Sequence, residues 1–192
     1  MIADYKLTTA PVTLDTATGS AKTLLESAQK ALGFVPNMYT GMAIAPGVLD
    51  TYLHGYNLFR NDSGFSAAEQ EVVFLTISRY NGCEYCVSAH SMLADKMSGV
   101  PADCLKALRE GAPIPDPKLQ ALSQFTHIMV DSRGLPTQAQ AKAFLDAGFS
   151  DAQILWIVLA LSVKTLSNFS NHLSQPALDG AFASHAWTDP SA

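Results

Sequence analysis

The chain has 192 residues, of which 48% are hydrophobic and only 15% charged, and its formal net charge is -5. This length suits one domain with a sizeable core, and a negative chain without a cluster of Lys and Arg is a poor candidate for binding nucleic acid. So few charged residues predict that further copies of the chain cover part of its surface.

The composition near the N-terminus and the cysteine usage predict where the protein works. The opening residues MIADYKLTTAPVTLD lack a basic segment followed by an apolar core, so no signal peptide is expected. No apolar run is expected to be long enough to span a bilayer. Three cysteines that include one C-x-x-C pair favour a reducing compartment over a disulfide scaffold. We therefore expect a cytoplasmic protein with no membrane partner and no nucleic-acid partner.

From the N-terminus onward, the sequence pattern predicts an arm followed by one helical domain. Residues 1–19 are rich in Thr, Ala and Pro without a sustained period, which predicts an extended arm that either packs on a neighbouring subunit or is disordered. Residues 20–192 are expected to form a single all-α domain, with a redox core at 37–111 and a C-terminal helical half at 112–185. No segment shows the period-2 alternation of a strand. Helices are predicted over 20–32, 37–45, from 46 onward, from 66, from 83, 102–110, from 116, 137–148, 154–166 and 168–184 with a break at 176.

The segment 66–97 carries the most informative pattern. Ser66 followed by Glu69 is a capping box that opens a helix, and Asn81-Gly82 ends that helix. A second helix is predicted to begin immediately, so that Cys83 and Cys86 fall in its first turn.

This placement predicts redox chemistry. Cys83, Cys86 and His90 share one stripe of the helix because they stand at positions i, i+3 and i+7. Cα atoms three residues apart in a helix are separated by about 5 Å, within the range that a disulfide bridges. A helix N-terminus favours thiolate over thiol, and His90, one turn beyond Cys86, can exchange a proton with it. Glu71 on the preceding helix can reach the same place only if the break at Gly82 folds the two helices together.

One spaced pattern resembles the core motif of alkylhydroperoxidase D, in the carboxymuconolactone decarboxylase superfamily. The pattern is Glu71, eleven residues, Cys83-Glu-Tyr-Cys86, three residues and His90. The flanking helical pattern resembles the peroxidase-related members. The resemblance implies an all-α oligomer, a trimer or hexamer, whose dithiol reduces a small hydroperoxide and is reset by a dithiol protein or a small thiol. No metal or organic cofactor is expected.

The resemblance also implies a role for each motif residue. Cys86 would be the attacking cysteine and Cys83 the resolving one, so that a Cys83–Cys86 disulfide forms, while Glu71 and His90 would relay protons. Burial is expected to raise the pKa of Glu71. Tyr85 stands where the best-studied members often have histidine, which makes it a possible relay or pocket residue.

Four alternatives stay open at this point. An N-terminal attacking cysteine, as in thioredoxin-like proteins, would reverse the order of Cys83 and Cys86. The pattern C-x-x-C-x3-H offers three zinc ligands and would need a fourth, such as His54 or His172. A lyase of the same superfamily would not need the cysteines, and a redox-sensing oligomer would cycle its disulfide without turnover.

Three further residues are expected to have structural roles. Cys104 has no partner in the sequence and is expected to be a packing residue. Asn168 and Asn171, in a stretch that resembles the C-terminal helix of the family, are expected to lie in the core or in an interface.

An internal similarity predicts two degenerate helical repeats. Gly64-Phe65-Ser66 recurs as Gly148-Phe149-Ser150, an offset of 84 residues at which Cys83 meets Ser167. Either the first half of a duplication kept its cysteines, or two capped apolar helices are alike by chance.

Overall fold

The structure, a computed structural model, describes residues 3–190, and helix is the only regular secondary structure in that range. The prediction of an all-α fold is therefore confirmed. The helices within the described range are α1 Gly19–Leu32, α2 Asn37–Met42, α3 Pro46–Asp62, α4 Ala67–Tyr80, α5 Glu84–Lys96, α6 Ala102–Glu110, α7 Pro117–Asp131, α8 Gln138–Asp146 and α9 Asp151–Ser174, followed by a 3-10 helix at Gly180–His185.

The turn between α4 and α5 positions the site. The Ser66–Glu69 capping box is present at the start of α4, a feature that typically contributes about 1 kcal/mol. Asn81 ends the helix, and Gly82 has a φ of 65°, a left-handed conformation that glycine adopts without strain. Because the chain reverses there, α5 packs back against α4. The break at Gly82 therefore folds the two helices together, which was the condition for bringing Glu71 to the helix that carries the cysteines.

Helix α4 is the centre of the core. Its residues 69–78 are all buried, polar positions included. It packs against α5, α6, α7 and α9, while α9 also packs against α2, α3, α5 and α7. Polar side chains of α4 and α9 that face α5 are consequently shielded from water.

The C-terminal half differs from the prediction. The apolar segment and the expected tail helix form one continuous 24-residue helix, α9, because nothing breaks it before Gln175, whose φ of 48° ends it just ahead of Pro176. The tail beyond the break is a short 3-10 helix rather than an α-helix.

The expectation about bilayer-length runs was wrong for α9. An 18-residue window of this helix has a mean hydropathy of 1.4, so its length and composition would allow it to cross a membrane. A third of that window is buried within the protein, and the helix packs against five others. The core helix of a helical bundle has the same properties, so the finding is weak evidence for a span.

The described part of the N-terminal arm packs on its own chain. The backbone N–H of Leu7 donates to the carbonyl of Leu173, that of Val12 donates to the carbonyl of Thr40, and Ala17 is buried. The first two residues of the predicted arm, and residues 191 and 192 of the predicted domain, lie outside the described residues. The inner boundary between 111 and 112 stays a prediction.

The proposed repeat is matched over one helix. Helices α4 and α9 begin at the same offset of 84 residues, each after a serine capping box. The match ends where α4 stops, because α9 continues through the positions that correspond to Asn81 and Gly82. Duplication of the whole helical half stays a prediction.

Candidate active site

The two motif cysteines occupy the N-terminus of α5. Cys83 is the N-cap, held by its backbone N–H donating to the carbonyl of Ser78 at 2.9 Å, and Cys86 is the third helical residue. Their relative exposures are 1% and 2%, and both are free thiols. The sulfur atoms therefore lie at the positive end of the helix dipole and away from bulk water.

Helix α9 supplies polar contacts to both sulfurs. Asn171 Nδ2 lies 3.3 Å from Cys86 Sγ and 3.7 Å from Cys83 Sγ. Ser167 Oγ lies 4.0 Å from Cys86 Sγ. Asn81 donates to Asn168 Oδ1 at 2.9 Å, which leaves the buried Asn168 Nδ2 without a partner among the described residues.

The core or interface role expected of Asn171 is therefore incomplete, because its buried amide contacts the cysteine pair. The sequence contained a signal for this that the motif did not include. Four polar residues recur at helical spacing in the most apolar helix of the chain, which places them on one buried face. They are Lys164, Ser167, Asn168 and Asn171.

The two thiols differ in acidity. Burial would raise the pKa of Cys86, but the hydrogen bond from Cys83, the charge of Lys164 and polar side chains of α9 outweigh it and lower the pKa to about 5. Burial, with the hydrogen bond to Cys86, raises the pKa of Cys83 well above its ordinary value. Cys86 is thus the thiolate of the pair at neutral pH, and Cys83 is the thiol.

Glu71 and His90 meet across the α4–α5 turn. His90 Nδ1 lies 2.8 Å from Glu71 Oε2, and Arg60 of α3 donates to Glu71 Oε1 at 2.5 Å. Glu71 and His90 are buried, with exposures of 0% and 4%. The carboxylate therefore accepts a hydrogen bond at each oxygen, from a different neighbour.

The expected rise in the Glu71 pKa was wrong. Burial alone would raise it, but His90 and the guanidinium of Arg60 lower it below its ordinary value. Burial and the charge of Lys164 lower the pKa of His90 to about 4, so the ring is neutral at pH 7. Its Nδ1–H then donates to Glu71, and Nε2 remains a proton acceptor.

Sequence reasoning missed Arg60. Its guanidinium also bonds to Tyr56 Oη at 2.7 Å and lies over the Phe74 ring, 4.9 Å from the centroid. The available signal was a cation one turn after Tyr56, on the aromatic face of its helix.

Tyr85 is attached to the C-terminal tail. Its hydroxyl donates to the carboxylate of Asp179, which also accepts the backbone N–H of Asn37 at 3.2 Å. Burial and Asp179 raise the Tyr85 pKa, so the phenol is neutral. No hydrogen bond within residues 3–190 connects it to Glu71 or His90, and a relay role for Tyr85 stays a prediction.

We expect Tyr85→Phe to lower the free energy of unfolding by about 2 kcal/mol, because a buried hydrogen bond to a carboxylate is lost. Tyr80→Phe is the matched control, since it removes an exposed hydroxyl that bonds to Asp131 at 3.0 Å and should leave stability unchanged. Urea unfolding of both variants measures the difference. A Tyr85→Phe protein of unchanged stability but impaired turnover would instead make Tyr85 part of the relay.

A cavity of about 380 Å³ leads to the cysteine pair from the surface. Cys83 and Asn171 line it, whereas Cys86 is not among its lining residues. The C-terminal tail forms one wall, held by the backbone N–H of Trp187 donating to Ser88 Oγ at 3.0 Å and by the indole N–H donating to the carbonyl of Arg109 at 3.0 Å. A molecule entering from solvent therefore meets Cys83 first.

The zinc alternative has no ligand set in the part of the chain that the structure describes. No three His, Cys, Asp or Glu side chains there converge as a metal site would require. His54 is exposed on α3, and Cys104 is a separate buried thiol on α6.

Comparison with known proteins places the chain in a structural class. Residues 46–127 match the family described as carboxymuconolactone decarboxylase. No curated protein matches the chain at a significant level of sequence similarity.

Solved structures match almost the whole chain. The alkylhydroperoxidase AhpD core, peroxidase-related protein from Ralstonia eutropha JMP134 has a TM-score of 0.78 at 21% identity, over 91% of this chain and 93% of that one. A peroxidase-related protein from Silicibacter sp. TM1040 has a TM-score of 0.72 at 22% identity, over 91% and 90%. A cysteine-to-alanine variant of the debrominase Bmp8 in complex with 2,3,4-tribromopyrrole has a TM-score of 0.74 at 14% identity, over 94% and 96%.

The family match and the motif geometry lie in the same segment, since Glu71, the cysteine pair and His90 all fall within residues 46–127. Likeness at these identities establishes the fold and leaves the reaction to the site itself. Residues 46–127 of this chain match the carboxymuconolactone decarboxylase family, and the chain as a whole has the fold of the alkylhydroperoxidase D core.

Proposed function

We propose that the protein is a dithiol hydroperoxide reductase. The observation that carries the proposal is the asymmetry of the buried cysteine pair. Cys86 is stabilised as a thiolate, with Asn171 Nδ2 at 3.3 Å, while Cys83 remains a thiol and borders the cavity. A nucleophile next to a protonated resolving thiol is the arrangement that two-step peroxide reduction requires.

The reaction has two steps. The Cys86 thiolate attacks one peroxide oxygen, an S–O bond forms, the O–O bond breaks, and the leaving alkoxide takes up a proton to become an alcohol. Cys83 then loses its proton and attacks the sulfur of the Cys86 sulfenic acid. The S–S bond forms, the S–O bond breaks, and the departing hydroxide is protonated to water.

The Glu71–His90 pair serves the proton transfers. Because Glu71 holds the Nδ1–H of a neutral His90, the Nε2 atom stays available to accept a proton. His90 stands one turn beyond Cys86 on the same face of α5, and its Nε2 would accept the proton released during the reaction.

An external dithiol or small thiol resets the enzyme by attack on the disulfide. The cavity exposes Cys83 as the sulfur to be attacked, and Cys86 is the better leaving group because its thiolate is the more stable. This chemistry and the three free cysteines favour the reducing cytoplasm.

An apolar face of α9 supports assembly as a trimer or hexamer. Exposed large apolar side chains recur along one face of this helix, and they include Leu155 at 71%, Val158 at 43%, Phe169 at 51% and Leu173 at 40%. Helical faces of this kind are commonly covered by another subunit.

Reductive dehalogenation is a second candidate, favoured by the fold shared with the debrominase Bmp8. In such a reaction the two thiols would supply two electrons, the C–Br bond would be replaced by C–H, and bromide and a proton would leave as the disulfide forms. A cysteine-independent lyase and a redox sensor without turnover remain alternatives that the same experiment separates.

The test starts with reduced protein and one equivalent of an organic hydroperoxide. We expect intact and peptide mass spectrometry to show the rapid loss of two hydrogens and a Cys83–Cys86 disulfide, with Cys104 still alkylatable. Repeated additions with dithiothreitol present should give one alcohol per peroxide added.

The other outcomes point elsewhere. Disulfide formation without repeated turnover would favour the sensor, and release of bromide from a brominated pyrrole in place of peroxide turnover would favour the dehalogenase. A cysteine pair that stays reduced would contradict both redox proposals and favour the lyase.

A further inference from the structure

Lys164 of α9 is the most unusual charged residue in the described chain. It is 0% exposed, and its Nζ atom has no hydrogen-bond partner among residues 3–190. The Nζ atom makes a cation–π contact with the Phe74 ring, at 5.5 Å from the ring centroid. Fully buried lysines occur almost only when an anion compensates them.

The buried carboxylate of Glu71, which meets His90 across the α4–α5 turn, is already compensated. Arg60 and His90 occupy its two oxygens at 2.5 Å and 2.8 Å. The remaining group that can carry negative charge is a cysteine sulfur. One and two turns beyond Lys164, the same face of α9 brings Ser167 and Asn171 to Cys86 Sγ.

The tyrosines, the histidines and the second cysteine around Cys86 are neutral. Burial raises the pKa of each tyrosine that faces it from α2, α3 and α5, namely Tyr39, Tyr52, Tyr56 and Tyr85. On α9, burial lowers the pKa of His172, and on α5 Cys83 stays a thiol and His90 is neutral. Lys164 is therefore the cation near Cys86 that pairs with no carboxylate within residues 3–190.

We propose that Lys164 is the buried counter-cation of the Cys86 thiolate and thereby sets the oxidising strength of the Cys83–Cys86 pair. The proposal extends the hydroperoxide reductase assignment, because it makes Lys164 a positioning residue outside the family motif. Only the role of Lys164 in turnover rests on that assignment.

The charge balance explains the consequence. In the dithiol form the ammonium and the thiolate neutralise each other, as Arg60 and Glu71 do. When Cys86 forms the S–S bond, its sulfur becomes neutral and Lys164 is left as a buried cation without an anion, which is unfavourable. The dithiol form is therefore stabilised relative to the disulfide, which makes the disulfide a stronger oxidant and Cys86 a better leaving group.

The test compares wild type with Lys164→Met, which removes the charge and keeps a flexible apolar side chain of similar length. Thiolate absorbance near 240 nm is followed against pH in the reduced proteins. We expect the Cys86 midpoint to rise by at least one pH unit in the variant. The equilibrium constant with glutathione should shift at least tenfold towards the disulfide, which corresponds to about 30 mV.

Stability against pH provides a readout that lost packing alone would not change. The pKa of Cys86 is lowered in the fold, so the unfolded chain binds more protons between pH 5 and 9, and the reduced wild type should gain stability as pH rises through that window. Lys164→Met should lose most of this slope. Lys118→Met is the matched control, because the Lys118 ammonium is half exposed and pairs with Glu69 at 2.7 Å, so this variant should leave the midpoint unchanged.

An unchanged Cys86 midpoint in folded Lys164→Met would overturn the inference. If Lys164→Met does not fold, Lys164→Arg is measured instead. Arginine keeps the positive charge, so the Cys86 midpoint must stay low in this variant. A midpoint raised to that of an ordinary cysteine would also overturn the inference. The titration requires no peroxide. A protein that shows the Lys164 effect without peroxide turnover would reject the reductase assignment alone, and one that turns over peroxide without the effect would reject this inference alone.

Discussion

Cys86→Ser is expected to lower hydroperoxide turnover by about 1,000-fold or more, because a serine hydroxyl at this position cannot ionise as the thiol does. The thiolate of Cys86 is the one ionised sulfur of the pair, and Asn171 contacts it at 3.3 Å. Initial rates with an organic hydroperoxide and excess dithiothreitol measure the loss. Cys104→Ser is the matched control, since Cys104 lies buried on another helix and the variant should keep full turnover.

Cys83→Ser separates the two steps and settles the order of attack. Cys86 should still react once with peroxide and stop at the sulfenic acid, which a dimedone adduct at Cys86 would reveal by peptide mass spectrometry. Multiple turnover should be lost. Full turnover by Cys86→Ser would reject the mechanism, whereas a dimedone adduct at Cys83 in Cys86→Ser would reverse the roles of the two cysteines.

Arg60→Met is expected to lower the free energy of unfolding at pH 7 by about 3–5 kcal/mol, because it leaves the fully buried Glu71 carboxylate without its cation. The remaining contacts of Glu71 are the neutral His90 at 2.8 Å and Ser98 Oγ at 3.5 Å. Methionine keeps apolar packing against Phe74. Guanidinium unfolding at several pH values measures the effect.

The pH dependence has a definite sign. In the wild type the Glu71 pKa is lowered, so its contribution to stability is present above the ordinary value of 4.5 and is lost as pH falls through the folded value. In Arg60→Met burial dominates and raises the Glu71 pKa, so the variant loses stability as pH rises. The difference between the two proteins should therefore widen with increasing pH.

Two further variants test the cause. Arg60→Met/Glu71→Gln should be more stable than Arg60→Met alone, because the double change removes the uncompensated charge. Lys142→Met, which breaks an exposed pair with Asp146 at 2.7 Å, should change stability by less than about 0.5 kcal/mol. If the double variant is no more stable than Arg60→Met, the loss arises from packing rather than from charge.

The local features of the site could be predicted from short stretches of sequence. The Ser66–Glu69 capping box and the break at Asn81-Gly82 each depend on residues at most three apart, as does the N-terminal placement of Cys83 and Cys86. Such features follow from helix geometry and turn conformation, which do not require knowledge of the packed core. Resemblance to the family then supplied Glu71, whose distance from His90 in sequence no local rule bridges.

The electrostatic state of the site was decided by tertiary structure. Burial predicted a raised pKa for Glu71, but His90 and Arg60 together reverse the sign, and these contacts depend on how α5 and α3 pack against α4. Asn171 is distant from the cysteines in sequence and reaches Cys86 because α9 runs unbroken past the point where the tail was expected to separate.

By itself the sequence determined an all-helical chain with a C-x-x-C pair at a helix N-terminus and a histidine on the same face, because helix periodicity and capping act over a few residues. Only the tertiary structure decided which sulfur is ionised, which carboxylate is compensated and which cysteine meets the solvent cavity. Those properties depend on charge and burial summed over several helices, and packing alone brings those helices together.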